Sequence, residues 1–279
     1  MKLGGSIAGP CATPAQWEEA LKASCFASVT CPVDHTAPDD TAREYFYAAQ
    51  RLGVVIAEAG VWKNTLSPDD SARQAAMEYA REQLAFADRW GIPCCVNIAG
   101  ARGEVWDGAY AENYSAGTYD LIIESVRSIL DAVRPARCRY TIEPMPWMMP
   151  DGPDEYLQLL RDVDRPMFGV HLDFVNMINT PRRFLFAGDF IRDCLRKLGK
   201  YTVSVHAKDI IMEGGFTTIL RETAPGRGML DYSDILRSLN TMLDKSTPVL
   251  LEHMKTDDEY LKAYGYLEEI AGREGIALR

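Results

Sequence analysis

Short apolar runs alternate with amphipathic stretches along the whole chain. The apolar runs are bounded by Gly, Pro or charged residues, as strands are, and the intervening stretches have helical spacing. Strands are predicted at residues 1–9, 25–33, 54–61, 94–101, 138–144, 167–173, 202–209 and 248–254. Helices are predicted at residues 13–23, 39–53, 67–91, 111–133, 154–163, 180–199 (in part), 232–243 and 258–275.

This order amounts to eight β-then-α units without a linker or low-complexity segment. Several runs, such as 54–59, 94–99 and 249–251, are apolar except for Glu58 and Asn97, which is typical of parallel strands covered on both faces. We therefore predict one (β/α)8 TIM barrel over residues 1–279, with its site at the carboxyl ends of the strands. A doubly wound open sheet is the competing fold. It is disfavoured because GGSIAG, after the first strand, does not match a GxGxxG fingerprint.

Net charge and cysteine content indicate which partners and which cellular compartment to expect. The net charge of −10 argues against a nucleic-acid partner, which would require a basic face. No apolar run is long enough for a membrane helix, and the first residues lack the apolar core of a signal peptide. The seven cysteines include no CxxC pair, so we expect a reduced, cytoplasmic protein. A homo-oligomer is compatible with the sequence.

Four polar side chains stand at the ends of four consecutive predicted strands. Glu143 ends YTIE, Asp173 ends FGVHLD, His206 lies in TVSVHAKD and Glu252 follows PVLL. A charge where a buried strand ends is costly unless it is paired, and in a closed barrel these four ends are neighbours. Each residue alone is more typical of a cap or an ion pair; together they indicate a metal site. The oxygen-rich set favours one divalent ion, Mn²⁺ first, with Mg²⁺, Co²⁺ and Zn²⁺ as alternatives.

Three polar residues beside these ligands are candidate substrate contacts. His171 shares a strand face with Asp173, and Lys208 shares one with His206, because side chains alternate along a strand. Asn176 follows Asp173 by three residues and can donate to a substrate hydroxyl. The alternative is structural: hydrogen bonds inside the barrel for His171 and Lys208, and a turn cap for Asn176.

Other residues near the strand ends are assigned structural roles. Glu58, near the end of the third strand, is expected to form a salt bridge. Asp209 is expected to cap the following segment. His253 is expected to point away from Glu252 and to pack against the helices.

Loops after the strands carry further candidate substrate contacts. Trp62, Trp106 and Trp147 follow the third, fourth and fifth strands, where an indole can stack on the apolar face of a sugar; the alternative is ordinary loop packing. In the loop APGRGMLDY, residues 224–232, the glycines allow close backbone approach to an anion and Arg227 can hold a carboxylate or phosphate. The alternative is a tight loop leading into a helix.

The segments IEPMP, HLDFVNMI, VHAKD, PGRGMLDY and LLEH together resemble the xylose-isomerase-like TIM-barrel superfamily. This superfamily includes ketose 3-epimerases, hydroxypyruvate isomerase, inosose dehydratase and relatives of endonuclease IV. The resemblance to ketose 3-epimerases implies that Glu143, Asp173, His206 and Glu252 bind one metal and that the two glutamates also transfer the proton. Two positions depart from those enzymes: Asn176 stands where they commonly carry a histidine, and Met212 where they carry an arginine.

These considerations predict a divalent-metal-dependent isomerase or epimerase of a small sugar or sugar acid. It would act by glutamate-mediated proton transfer through a metal-bound enediolate. A metal-dependent lyase of a keto sugar acid, either a dehydratase or a decarboxylase, uses the same site and is the main alternative. A non-catalytic sugar-binding barrel is the second alternative. A nuclease is the least favoured, because a three-zinc site needs many histidines and the chain has four.

Overall fold

The computed structural model describes all residues 1–279, and eight parallel strands in it close into a barrel. The order around the barrel is β1-β10-β7-β6-β5-β4-β3-β2. The predicted (β/α)8 TIM barrel is confirmed. The barrel strands are β1 (Lys2–Gly5), β2 (Ser28–Thr30), β3 (Val55–Gly60), β4 (Cys94–Ile98), β5 (Arg139–Glu143), β6 (Phe168–Leu172), β7 (Thr202–Ala207) and β10 (Pro248–Leu251).

The helices surround the barrel and follow the predicted order closely. Thr13 and Thr180 cap two of them, each side chain accepting a hydrogen bond from a backbone N–H three residues later. The helices are α1 (Pro14–Ser24), α2 (Asp39–Leu52), α3 (Asp70–Trp90), α4 (Ala116–Val133), α5 (Pro153–Val163), α6 (Phe174–Met177), α7 (Pro181–Leu185), α8 (Ala187–Leu198), α9 (Tyr232–Met242) and α10 (Asp257–Glu274). Short 3₁₀ turns occupy Ala111–Tyr114 and Gly199–Tyr201.

An antiparallel hairpin interrupts the regular alternation after β7. Its strands are β8 (Asp209–Glu213) and β9 (Ile219–Thr223), paired from Asp209 with Thr223 to Glu213 with Ile219. No strand was predicted in this segment, because it lacks a long apolar run. The hairpin brings Glu222, on β9, to the carboxyl-end rim of the barrel.

One apolar core fills the space between the barrel and the helices. Strands β1 and β2 approach each other closely at Gly4. A Cβ atom on Gly4 would lie only 1.6 Å from the Ser28 carbonyl oxygen, so β1 and β2 pack as they do only with glycine there. None of the helices combines the length and the apolar composition required to cross a bilayer.

Candidate metal centre

The four predicted ligands converge at the carboxyl ends of β5, β6, β7 and β10. The donor atoms of Glu143, Asp173, His206 and Glu252 all lie within 4.8 Å of one another. His206 Nδ1 is 3.0 Å from Glu252 Oε2, 3.2 Å from Glu143 Oε1 and 3.6 Å from Asp173 Oδ2. Consecutive strand ends of a closed barrel thus bring together residues that are far apart in the sequence.

Burial and mutual charge perturb these groups strongly. Burial raises the pKa of Glu143, and the nearby Glu252 carboxylate adds to the effect, although His206 opposes it. Burial also acts to raise the pKa of Glu252, but His206 and then Lys208 outweigh it and lower that pKa to about 2. The carboxylates around His206 overcome its burial and hold its pKa well above its usual range. This concentration of negative charge favours a bound cation.

The donor set fits a divalent ion. In octahedral coordination, neighbouring ligand atoms are about 3 Å apart and opposite ones about 4 Å apart, which matches the separations around His206 Nδ1. Asp173 Oδ2 is fully buried and faces Lys208 Nζ at 2.6 Å and His206 Nδ1 at 3.6 Å, so a bound metal would share this oxygen with the lysine. Three carboxylates and one imidazole suit Mn²⁺, Mg²⁺, Co²⁺ or Zn²⁺.

Glu58 orients the histidine of this set. His206 Nε2 lies 3.1 Å from Glu58 Oε1, so the Nε2–H donates to Glu58 and Nδ1 faces the other three ligands, where loss of its proton would free a lone pair for a metal. Ser204 Oγ also donates to Glu58, at 3.1 Å. Carboxylates behind metal-bound histidines commonly fix the tautomer in this way. The sequence predicted a salt bridge for Glu58, but it did not indicate that the partner would be the ligand histidine on the opposite side of the barrel.

His171 lies beneath the metal centre. Its side chain is fully buried, its Nε2 is 3.1 Å from Glu58 Oε2, and its ring packs edge-on against His206 at a centroid distance of 4.0 Å. It does not line the cavity where a substrate would bind. The structural alternative considered for His171, a hydrogen bond inside the barrel, describes this arrangement.

Lys208 is fully buried among the carboxylates. Its Nζ is 2.6 Å from Asp173 Oδ2 and 2.7 Å from Glu252 Oε2. Burial acts to lower the pKa of Lys208, but these neighbours raise it well above its usual value, so the side chain is a cation. Asn176 lies between the groups: its Nδ2 donates to Glu143 at 3.1 Å, and its Oδ1 is 3.4 Å from Lys208 Nζ. Asn176 also lines the cavity, whereas Lys208 does not.

A cavity of about 1030 Å³ opens above the centre. Glu143, His206 and Glu252 form part of its floor. All three predicted tryptophans, Trp62, Trp106 and Trp147, line it and are each more than a third exposed. Trp62 has a left-handed backbone, with φ of 48°, a conformation uncommon for a bulky residue. Gly60 accommodates the indole: a Cβ atom there would lie 1.9 Å from Trp62 Nε1.

The side chains that line this cavity are mainly acidic. No lysine or arginine is among them. The acidic residues are Glu58, Asp107, Glu143, Glu222 and Glu252, and the basic residues are two histidines, His206 and His253. A phosphate or a carboxylate therefore meets no lysine or arginine on this wall.

Glu222 and His253 belong to the rim, although the sequence did not indicate them. Glu222 Oε1 is 2.9 Å from His253 Nδ1, and Glu222 Oε2 is 3.3 Å from Lys208 Nζ. His253 Nε2 is 3.4 Å from Glu252 Oε1. The expectation that His253 would pack against the helices is wrong, because its left-handed backbone, with φ of 62°, ends the alternation of β10 and turns the ring to the cavity.

Arg227 lies outside this cavity. It is exposed in an adjoining groove that meets the cavity at Glu222, Glu252 and His253. The backbone amides of its loop are already paired with a carboxylate of the protein: the N–H groups of Gly226 and Gly228 donate to Asp209 at 3.1 and 3.0 Å. The structural role predicted for Asp209 agrees with these bonds, and they leave Arg227 as the loop's only group for an external anion.

A comparison with known families finds one match over most of the chain. A family model described as "Xylose isomerase-like TIM barrel" matches residues 19–270. No curated protein sequence matches the chain significantly.

Solved structures share the fold over the full length. A xylose isomerase-like TIM barrel protein from Mycobacterium smegmatis, in complex with magnesium, is 15% identical with a TM-score of 0.71, covering 100% of this chain and 98% of that one. D-psicose 3-epimerase with D-tagatose, from Clostridium cellulolyticum H10, is 15% identical with a TM-score of 0.69, covering 97% and 99%. The 3-keto-D-glucoside 4-epimerase from E. coli is 14% identical with a TM-score of 0.69, covering 96% and 99%.

Proposed function

The chain belongs to the xylose isomerase-like TIM barrel family, and from this membership and the geometry of its site we propose a divalent-metal-dependent isomerase or epimerase of a small sugar. The observation that carries the proposal is the convergence of four ligand atoms within 4.8 Å at the floor of a cavity walled by tryptophans. Several structures of the same fold are sugar epimerases, including those that act on D-psicose and L-ribulose.

The ligands proposed for the metal are Glu143, Asp173, His206 and Glu252. When bound, a divalent ion polarises a carbonyl and so acidifies the neighbouring C–H group. Mn²⁺ is the ion we propose, and a structure of the same fold with magnesium supports a hard divalent ion.

The proton is moved by the two glutamates. Both Glu143 and Glu252 line the cavity, whereas Asp173 is fully buried and does not. One glutamate removes the hydrogen next to the substrate carbonyl, and the other returns a proton. Asn176, which donates to Glu143 at 3.1 Å, holds that carboxylate toward the substrate. The tryptophans stack on the sugar and exclude water.

The cavity charge favours a neutral sugar over a sugar acid or a sugar phosphate. A carboxylate or phosphate held away from the metal would face a wall that carries five acidic residues and no lysine or arginine. Without a lysine or arginine as partner, the desolvation of such an anion is poorly compensated. The same absence disfavours a lyase of keto sugar acids, because Arg227, His171 and Lys208, the groups considered for holding the carboxylate, do not line the cavity.

The test is an incubation in D₂O with Mn²⁺ and a panel of neutral ketoses beside the matching keto sugar acids. We expect a neutral ketose to take up one deuterium next to its carbonyl, with formation of an epimer or isomer and no other change in mass. Loss of water or CO₂ from a keto acid would establish the lyase instead. Binding of a sugar without any exchange would establish a non-catalytic barrel.

A reducing compartment, the cytoplasm, is proposed as the place of action. All seven cysteines are free, and burial raises the pKa of Cys94, Cys95 and Cys138 well above the usual thiol value, which suppresses their oxidation. Fluorescent-fusion imaging, with the whole chain at its natural level, tests the location.

A further inference from the structure

Lys208 presents its ammonium group to the same oxygens that the metal needs. The Nζ atom lies 2.6 Å from Asp173 Oδ2 and 2.7 Å from Glu252 Oε2. Those two oxygens also face His206 Nδ1, at 3.6 and 3.0 Å. The ammonium and the metal are therefore directed at one shared pair of ligand atoms.

A second acceptor for the ammonium lies nearby, toward the cavity. Glu222 Oε2 is 3.3 Å from Lys208 Nζ, and Glu222 is about one-third exposed and lines the cavity. Its other oxygen accepts a hydrogen bond from His253 Nδ1 at 2.9 Å. Glu222 is thus fixed in position by His253, outside the four-ligand set, and a small rotation of the flexible lysine stem would pair the ammonium with it.

We propose that Lys208 is a built-in cation that competes with the metal for Asp173 and Glu252 and moves to Glu222 when the metal binds. This inference rests on the proposed metal-dependent function and adds a regulatory element to it. In the metal-free protein the ammonium neutralises carboxylates that would otherwise repel one another in a buried site. In the metal-bound protein two cations cannot share the same oxygens without repulsion, so the ammonium transfers to Glu222. The metal site is weakened and made exchangeable by this competition.

The first test measures Mn²⁺ affinity by calorimetry, with the number of bound ions and the thermal midpoint as further readouts. Lys208→Met removes the charge and keeps the length of the stem, so we expect Mn²⁺ to bind about ten-fold tighter, because the buried competitor is gone. Lys63→Met is the matched control: Lys63 is an exposed lysine near the rim, outside the ligand set, and its removal should leave the affinity within about two-fold.

The second test keeps Lys208 and removes its destination. Glu222→Gln should weaken Mn²⁺ binding about ten-fold when Lys208 is present and have little effect in the Lys208→Met background, since only the lysine makes Glu222 important. This variant retains the ion pairs of Lys208 with Asp173 and Glu252, so it remains informative if Lys208→Met folds poorly.

The outcomes separate this proposal from the proposed function. If wild-type protein binds one Mn²⁺ and Lys208→Met binds it equally or more weakly, Lys208 supports the ligands and the competition is refuted, while the metal-dependent function stands. An equal effect of Glu222→Gln in both backgrounds also refutes it. If wild-type protein binds no divalent ion, both proposals fail. Tighter binding by Lys208→Met in a protein that does not epimerise any sugar supports the competition and removes only the activity.

Discussion

Strands β5, β6, β7 and β10 carry the four candidate metal ligands at or next to their carboxyl ends, whereas none of the four lies on β1 to β4. The last residues of β1 and β3 are glycines, and Ala99 follows β4. The first half of the barrel contributes one charged side chain to the metal centre, Glu58. Its carboxylate contacts His206 Nε2, the ring nitrogen on the side away from the other three candidate ligands. The first half also contributes Trp62, Trp106 and Asp107, among others, to the cavity wall.

This difference suggests a division within one closed sheet: the second half supplies the reacting groups, and the first half contributes mainly to stability. Buried carboxylates without an equal number of cations cost folding energy, and the second half concentrates three of them around one histidine and one lysine. The first half lacks this cost and packs its strands closely, as at Gly4. Substitutions in the second half should therefore change the reaction more than stability, and substitutions in the first half the reverse.

The largest expected effect is in the second half. Glu143→Gln removes the ionisable group that transfers the proton but keeps an oxygen that can accept from Asn176. Exchange of the substrate's α-hydrogen with solvent should fall about 10³-fold, equivalent to about 4 kcal/mol, with the protein still folded. Deuterium uptake by the ketose, measured at saturating Mn²⁺, gives the rate. Glu19→Gln on the exposed face of α1 is the control, and wild-type exchange in Glu143→Gln would remove Glu143 from proton transfer.

The reverse case is Gly4→Ala in the first half. The added methyl group would lie 1.6 Å from the Ser28 carbonyl oxygen, so β1 and β2 must separate and we expect a loss of about 3 kcal/mol of stability. Urea denaturation measures the loss. Turnover per folded molecule should be unchanged, because β1 supplies no ligand. Gly265→Ala on α10 has no atom within 4 Å of the new methyl and should gain about 0.5–1 kcal/mol from helix propensity. A rate change in Gly4→Ala equal to that in Glu143→Gln would contradict the separation of stability and catalysis between the two halves.

The barrel and the convergence of the four candidate ligands could be predicted because both depend on local patterns. Continuous apolar runs mark parallel strands, and a carboxylate directly after such a run, as at Glu143 or Asp173, has few explanations other than pairing or coordination. Chain order then places consecutive strand ends side by side. The candidate ligand set could thus be read from residues at the ends of consecutive predicted strands.

Contacts made across the barrel or from irregular segments could not be predicted. The pairing of Glu58 with His206 joins β3 to β7, on different sides of the barrel, and no spacing encodes it. Glu222 reaches the rim on a hairpin that the half-polar sequence concealed. His253 faces the cavity because of a left-handed backbone, which alternation alone would assign to the opposite face. The carboxylate of Asp209, which occupies the amides of the 224–230 loop, likewise depends on the folded path of that loop.

A smaller effect is expected at Glu58, the one charge that links the two halves. Glu58→Ala removes the acceptor for His206 Nε2–H, so the imidazole loses its fixed tautomer and we expect metal affinity to fall 10- to 100-fold, about 1.4–2.7 kcal/mol. Titration calorimetry with Mn²⁺ measures it. Ser204→Ala, which removes only a hydroxyl that donates to Glu58 at 3.1 Å, should weaken binding by a few-fold at most. Unchanged Mn²⁺ affinity in Glu58→Ala would mean that residues of the second half alone orient His206.

The smallest effect is expected at Trp62, the first half's contribution to the cavity wall. The indole packs over Gly60, and its position is fixed by a left-handed backbone at Trp62. A sugar can therefore stack on a preformed surface, and removal of the indole abolishes this stacking. For Trp62→Ala we expect KM to rise about ten-fold, near 1.4 kcal/mol, with kcat within about two-fold, because stacking binds substrate and transition state alike. Steady-state kinetics on the active ketose measure both constants. Trp90→Phe is the matched control, since Trp90 stacks on Phe46 at 4.5 Å and does not line the cavity. A fall in kcat with constant KM would show that the first half acts on the transition state as well, and the separation between the halves would then hold for charge but not for catalysis.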